Sequence, residues 1–281
     1  RVDERRSLDL FESVILHDAE DMVHPAALRV ICDGLAAVDF VQLPVRAEPV
    51  PGSRWISGHY CDEFAEAHGK TLPVRSALGA SIPAAGVGCG FARQALGRLA
   101  AIRARQGEAG PFAAECLTED YELGLMMSRG PGGAAFIRLR GADGGLIATR
   151  SCFPHRLTDA VRQKTRWVHG IAFQGWDRMG WDGRLVDIWM ALRDRRGPLT
   201  AIVLAAAYML LVVDALLLLS GALGFGGIPP ASDGVRALLL IGLAGLAWRA
   251  AMRFAFTARE YGWAAGVIGV ARIPISNIIA I

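Results

Sequence analysis

The sequence predicts an α/β domain over residues 1–195 followed by a membrane region over residues 196–281, and three observations carry the prediction. Polar and apolar residues are mixed through the first two thirds. The last third is dominated by Leu, Ala, Val and Ile, and the mean hydropathy of the whole chain is +0.33, an asymmetry that belongs to a folded domain with membrane anchors. Before Arg195, short apolar runs alternate with stretches of helical spacing, as in strand–helix–strand units. Leu199 to Ser220 is an apolar run whose only charge is Asp214, long enough as a helix to cross a hydrocarbon core of roughly 30 Å.

Taken in order, Val14-Ile15-Leu16 reads as a short buried strand that delivers His17 to Asp21 to its C-terminal end, where open α/β sheets bind ligands. Pro25 to about Ala37 has mixed apolar spacing that includes helical intervals, with Pro25 suited to the first helical turn, and Phe40 to Val45 reads as the next strand. Arg46 to Ser53, with Pro49 and Pro51, reads as a loop, and Trp55 to Ala67 as an amphipathic helix. Ser81 to Phe91, with Gly86, Gly88 and Gly90, reads as turn-rich, a place where backbone can approach a ligand closely. A helix through Ala100 follows. Phe136–Arg140 and Leu146–Thr149 read as a hairpin around Gly141–Gly145, and Leu157 to Gly170 as a helix.

In the membrane region two spans are expected, at about 199–220 and 235–252, the second relying on Arg236 and Arg249 near the interfaces. Residues 261–281 are apolar but interrupted by Arg272, Pro274, Ser276 and Asn277, which fits an interfacial or re-entrant helix as readily as a third span. The loop between the two runs carries no Lys or Arg while both outer flanks are Arg-rich, so the positive-inside rule puts residues 1–198 in the cytosol. Asp214 is costly in lipid and is expected to face protein or a polar conduit.

The net charge of +3 is spread along the chain, without the basic stripe that tracks a phosphate backbone, so nucleic acid is not an expected partner. The five cysteines are odd in number and form no CxxC pair, which argues against a disulfide framework and a zinc site. The chain starts at Arg1 without Met and stops at Ile281 inside an apolar stretch, so a piece of a longer protein is expected.

Three strings carry chemistry. Asp18-Ala19-Glu20-Asp21 offers hard oxygen ligands for Mg²⁺ or Mn²⁺. Asp18 and Glu20 would share one side of an extended strand end, with Asp21 as a substitute; an acidic helix start with Asp21 as cap is the bland alternative. Thr118-Glu119-Asp120 offers Asp120 as a general base for an acceptor hydroxyl, or a helix start capped by Thr118, and the two readings are compatible. Gln163-Lys164-Thr165-Arg166-Trp167 would place Gln163, Arg166 and Trp167 on one helix face. There Arg166 can fork onto phosphate oxygens and Trp167 can offer a platform for a sugar ring; a juxtamembrane Arg-Trp anchor is the alternative. Gly86-Val87-Gly88-Cys89-Gly90 lacks the ending of a phosphate loop and reads as a turn or as a loop shaping an acceptor channel.

In this order the strings resemble the metal, catalytic-base and QxxRW motifs of the family 2 membrane glycosyltransferases, which include cellulose, chitin and hyaluronan synthases. The segments LHDAEDMVHP, AAGVGCGFAR, CLTEDYELG and VRQKTRWVHGIAFQGWDRMGW look more narrowly like its bacterial phage-adsorption protein B subgroup. The resemblance implies a GT-A fold on the cytosolic side of the bacterial inner membrane and a UDP-sugar donor. It also implies metal-dependent inversion at the anomeric carbon and a polysaccharide or lipid-linked acceptor whose product is extruded, with a possible outer-membrane export partner. Asp120 with Thr118 and Glu119 would form the catalytic set, Asp18, Glu20 and Asp21 the metal set, Gln163, Arg166 and Trp167 the diphosphate and acceptor end, and Gly86, Gly88 and Cys89 the acceptor loop. Glu20 departs from the Asp common in the family. The half of the nucleotide-binding fold that precedes the metal motif has no counterpart, so the GT-A-like domain is expected to be partial. A catalytically idle scaffold or receptor component of an envelope or phage-adsorption complex is the alternative of a different class.

Overall fold

The computed structural model describes residues 11–108, 110–113, 115–181, 183–224 and 232–280. The chain divides into two compact units, Arg1–Arg195 and Arg196–Ile281. In the first, the strands are β1 (Ser13–Leu16), β2 (Met22–Val23), β3 (Phe40–Gln42), β4 (Val45–Glu48), β5 (Cys89–Ala92), β6 (Ala134–Phe136) and β7 (Thr149–Cys152). The helices are α1 (Ala27–Leu35), α2 (Ile56–Glu66), α3 (Leu72–Ala77), α4 (Arg93–Arg105), α5 (Glu119–Arg129), α6 (Leu157–Val168), α7 (Gly175–Met179) and α8 (Leu185–Arg195), with π-helical turns at Ala67–Thr71 and His169–Gln174.

One sheet has the order β1-β5-β3-β6, with β5 antiparallel to both neighbours and β3 parallel to β6. Side chains alternate across it. Phe40, Cys89 and Phe91 enter a core with Leu96, Leu123 and Phe136 on one face, and Val41 joins Ala27, Ile31 and Leu43 on the other. Phe40 and Phe91 stack at 4.8 Å between centroids. Gly90 lies under α1, where a Cβ would come within 2.2 Å of Ile31 Cγ2. That close crossing requires glycine, and it explains why residues 89–91, expected as part of a turn, form a central strand with Cys89 and Phe91 fully buried.

The second sheet, β2-β7-β4, arises where Phe40–Val45 was expected to be one strand. Pro44 has no N–H to donate to a ladder. The chain therefore leaves the first sheet at Leu43 and enters the second at Val45, parallel to β7, so Arg46–Glu48 are strand and the loop begins only at Pro49. The inner part of the expected hairpin is present, where Arg140 bridges Leu146, the Gly141 N–H donates to Gly145 O at 2.8 Å and the Ile147 N–H donates to Leu139 O at 3.0 Å. The outer ends of its arms pair instead with β3 and β4. An isolated hairpin is marginal in water, whereas pairing with β3 puts Phe136 in the core.

In the second unit α9 (Gly197–Ala222) and α10 (Asp233–Tyr261) are long and apolar enough to cross a membrane by length and composition. The α10 helix continues well past the expected end near residue 252. Gly262, at φ +91°, reverses the chain. The tail then forms two short helices, α11 (Trp263–Ala271) of 9 residues and α12 (Ile273–Ala280) of 8, too short to cross at 1.5 Å per residue. α11 folds back on α10 so closely that a Cβ on Gly266 would lie 2.9 Å from Ala258 Cβ. Arg249 donates to Asn277 Oδ1 at 2.8 Å, and Asn277 donates to the Tyr208 hydroxyl at 3.2 Å, tying α9, α10 and α12 together. Asp214 is exposed midway along α9. The centre of the loop read for charge asymmetry, 225–231, lies outside the described residues.

Candidate active site

The acidic string after β1 is a tight turn rather than an extended strand end, so strand alternation does not place its side chains. The Asp21 N–H donates to Asp18 O at 3.1 Å and the Asp18 N–H to Asp21 Oδ2 at 2.9 Å. The Asp21 side chain is 1% exposed and its Oδ1 accepts from the Ser151 hydroxyl of β7. Asp21 thus braces the turn from inside, while Asp18 and Glu20 are exposed. Burial raises the Asp18 pKa, and the neighbouring Asp21 and Glu20 charges raise it further. A carboxylate held among other carboxylates attracts a hard cation, and Mg²⁺ takes one or two protein carboxylates plus substrate phosphate oxygens. Asp18 and Glu20 fit that partial role. Among the described residues no group of three or more His, Cys, Asp or Glu side chains forms a complete metal cage.

Asp120 stands in the first turn of α5. Burial pushes its pKa up to about 6, assisted by Glu119. The N–H groups of Tyr121 and Asp120 and the positive charge of Arg166 oppose the rise and lose to desolvation. Thr118 does not cap the helix with its side chain. Its buried hydroxyl packs against Gly170, where a Cβ would approach to 2.4 Å. Glu119 points to solvent.

Two groups of contacts lock α5 in place. A Cβ on Gly124 would lie 1.9 Å from Ala84 N, so helix and chain touch through backbone. The Ser128 hydroxyl bridges Ile82, donating to its carbonyl and accepting from its N–H, each at 2.9 Å. Beneath the helix, buried Glu122 accepts from Arg103 at 2.8 Å and from Arg178 at 2.7 Å.

The segment fixed by α5 leads into the loop Ala85–Gly88. Gly86 (φ +77°) and Gly88 (φ +62°) adopt backbone that L side chains rarely take, and a Cβ on Gly86 would sit 2.9 Å from Asp120 Oδ2. Just beyond, burial drives the Cys89 thiol pKa far up, with Asp120 and Asp18 the two charges that add to the effect. The charges of the two carboxylates, a hundred residues apart in sequence, thus both act on one buried thiol. Gly86→Ala should cost roughly 1–2 kcal/mol of stability from its backbone alone and lower turnover further by displacing Asp120. Thermal unfolding and turnover measured together check this, and unchanged turnover would contradict the close approach.

The Gln163–Trp167 string lies on α6, and its members part company. Arg166 is exposed and acts electrostatically on Asp120. Gln163 Oε1 is buried without a hydrogen-bond partner among the described residues, as are His17 Nε2 before Asp18 and Thr149 Oγ1 against Gly88. Unsatisfied buried groups are uncommon and call for a water, ion or ligand. Trp167 joins an aromatic cluster, 6.3 Å from Tyr60 and 6.4 Å from Phe64, with Tyr60 stacked on Phe153 at 5.0 Å. Its half-buried ring is packed within the domain, which argues against the juxtamembrane anchor.

Two glutamines carry positions that sequence reasoning did not single out. Gln174 accepts from the Leu117 N–H at 2.8 Å and donates to Glu115 O at 3.3 Å, docking the turn after α6 onto the approach to α5. Gln42, at the end of β3, binds the Ala85–Gly88 backbone. No spacing rule reveals either, because each acts on distant backbone.

The first unit is thus a mixed α/β domain with an open acidic turn after β1 and a carboxylate set into the first turn of α5, and the second carries two helices long and apolar enough to cross a membrane. The chain belongs to glycosyl transferase family group 2, whose model matches residues 13–223. It is 33% identical over 298 residues to bacteriophage adsorption protein B of Escherichia coli strain K12. It is equally similar to bacteriophage N4 adsorption protein B of Escherichia coli O157:H7. Each alignment covers 98% of this chain and 39% of the relative, so the chain spans about two fifths of the length of these curated relatives.

Proposed function

We propose that the chain is the catalytic portion of a bacterial inner-membrane glycosyltransferase that moves a sugar from a UDP-sugar to a growing exported polysaccharide or a lipid-linked acceptor, with inversion. The observation that carries the reading is the close approach of the Gly86 loop to the Asp120 carboxylate, with Arg166 acting on Asp120 and the charge of Asp18 in the open acidic turn reaching the same buried Cys89 thiol. A partial GT-A-like cytosolic domain over residues 1–195 and a multi-pass membrane region over residues 196–281 frame it, supported by the family match and by the Arg-rich flanks of the two long helices.

In this mechanism Asp120 accepts the proton of the acceptor hydroxyl as that oxygen attacks the anomeric carbon, and the bond from carbon to the diphosphate oxygen breaks on the opposite face. The electron pair leaves on the diphosphate. A divalent ion held by Asp18 and Glu20 would supply charge neutralisation for that leaving group. Arg166 adds a second positive charge, Gln163 offers its unpaired amide oxygen to a sugar or acceptor hydroxyl, and Trp167 gives its accessible edge to the acceptor path. Thr118 and Glu119 shape the turn that carries Asp120, Asp21 braces the metal turn, and Gly86 and Gly88 wall the acceptor side with Cys89 buried behind them. An export partner in the outer membrane would receive the product.

The test is UDP release by the full-length protein in membranes, offered a panel of UDP-sugars with and without chelator. Release with one sugar, lost on chelation and restored only by a higher Mg²⁺ concentration in Asp18→Asn, is the expected result. The names of the curated relatives favour a second reading, an idle component of a phage-adsorption or envelope complex. Absence of release from folded protein with every sugar, together with phage adsorption unaffected by loss of the carboxylates, would favour it.

A further inference from the structure

We propose that Gln42 is a positioning residue that fixes the Ala85–Gly88 backbone so that Gly86 stands against the Asp120 carboxylate; the catalytic part of this inference rests on Asp120 acting as the base. Gln42 closes β3 on the sheet face that holds Phe40, and it is fully buried where the neighbouring core is apolar. A buried primary amide is costly unless every polar atom finds a partner. Here the partners are backbone groups, and three of the four belong to one loop. Oε1 accepts from the Ala85 N–H at 2.9 Å. Nε2 donates to Val87 O at 2.9 Å, to Gly88 O at 3.3 Å and to Leu43 O at 2.8 Å. The side chain therefore grips the backbone on both sides of Gly86.

The grip matters because this loop has little stiffness of its own. Two of its four residues are glycines in left-handed backbone, the conformation glycine reaches freely and leaves as freely. Gly88 is also held by the sheet, donating to Leu16 O at 3.0 Å and accepting from the Leu43 N–H at 2.9 Å. Gln42 extends that hold to Val87 and Ala85, and so to the residue that lies against Asp120 Oδ2. Released, the loop admits water beside the carboxylate, which loses part of the desolvation that raises its pKa, and the space offered to an acceptor hydroxyl loses its shape. A misplacement of about 1 Å at a reacting group costs about a hundredfold in rate.

The experiment uses the full-length protein in membranes with three variants, Gln42→Met, Gln42→Glu and Asp120→Asn, each checked for folding by thermal unfolding. Two readouts are taken: the pH profile of UDP release, and the alkylation rate of Cys89, which is fully buried beside the loop, followed by mass spectrometry against buried Cys61. In Gln42→Met, which keeps the length and loses the amide, kcat should fall about a hundredfold with the donor KM little changed. The acidic limb should move to lower pH, and Cys89 alkylation should quicken while Cys61 stays protected. Folded Gln42→Met with the native kcat and acidic limb would overturn the proposal, as would unchanged Cys89 alkylation.

Should Gln42→Met not fold, Gln42→Glu decides. Glu keeps an acceptor for Ala85 and regains a donor only when protonated, so its activity should fall as pH rises through the range where native activity climbs; a native-shaped profile overturns the proposal. Full transfer by Asp120→Asn would instead remove the base reading, and with it the catalytic role of Gln42. The alkylation rate would still report whether Gln42 holds the loop.

Discussion

Asp120→Asn should lower sugar transfer by about 10²–10⁴-fold while leaving donor binding nearly intact, because general-base catalysis contributes on that scale and the amide cannot take a proton. In the native protein the rate should climb with pH through about 6, as the carboxylate ionises. The same shift has a stability consequence. The folded-state pKa lies above the ordinary 3.8, so the fold favours the protonated form. The associated stability is complete below the unfolded pKa and is lost as pH rises through about 6. Asp120→Asn, which never ionises, should therefore melt higher than the native protein at neutral pH, and the gap should close below about pH 4. Melting curves at the two pH values with UDP release alongside check both halves. Full activity in the variant removes the base assignment, and a constant melting gap removes the burial argument.

Glu122→Ala should destabilise the α/β domain by about 3–5 kcal/mol, the range for breaking one partner out of a buried ion pair. The side chains of Glu122 and Arg103 are 5% and 1% exposed. Glu122 bonds Arg103 at 2.8 Å and Arg178 at 2.7 and 3.1 Å, while Glu108 bonds both arginines from the edge. Removing Glu122 leaves Arg103 buried with only Glu108 opposite. The network joins α4, α5 and α7, so its loss also loosens the first turn of α5 that carries Asp120. Denaturant unfolding in detergent measures the first effect, and turnover per folded molecule measures the second. Glu122→Gln, which keeps shape and an acceptor, should lose less. A loss below about 1 kcal/mol, the value of an exposed pair, would mean that solvent reaches the network.

Much of the fold was legible because its signals are local. The helix over Ala27–Leu35, the helix over Ile56–Glu66 and the long apolar helix from Gly197 follow from spacing and run length. The misreadings share one cause. Cys89–Ala92 looks like a turn for its glycines, yet becomes a central strand because Gly90 lets α1 cross directly above it. The arms at Phe136 and Thr149 look like a hairpin, yet each pairs with a strand about a hundred residues earlier. In both, burial against distant residues outweighs a local preference worth less than a few kcal/mol.

The candidate site divides the same way. Its charged and polar members were visible as strings, since Asp18, Glu20, Asp120, Gln163 and Arg166 are types whose chemistry is intrinsic to the side chain. Their states were not. Asp21 resembles its neighbours in sequence, yet is turned inward to Ser151, while Asp18 stays exposed. Trp167 is held in an aromatic cluster, and Gln42 is an unremarked polar residue in a strand until Ala85, Val87 and Gly88 are brought around it. The sequence by itself determined which functional groups the chain possesses, the order in which they occur and the presence of helices long enough to cross a membrane. Only the tertiary structure decided which carboxylate is buried, which is braced and which is open. Desolvation and hydrogen bonding depend on neighbours that the chain supplies from a hundred residues away, and no local pattern encodes that distance.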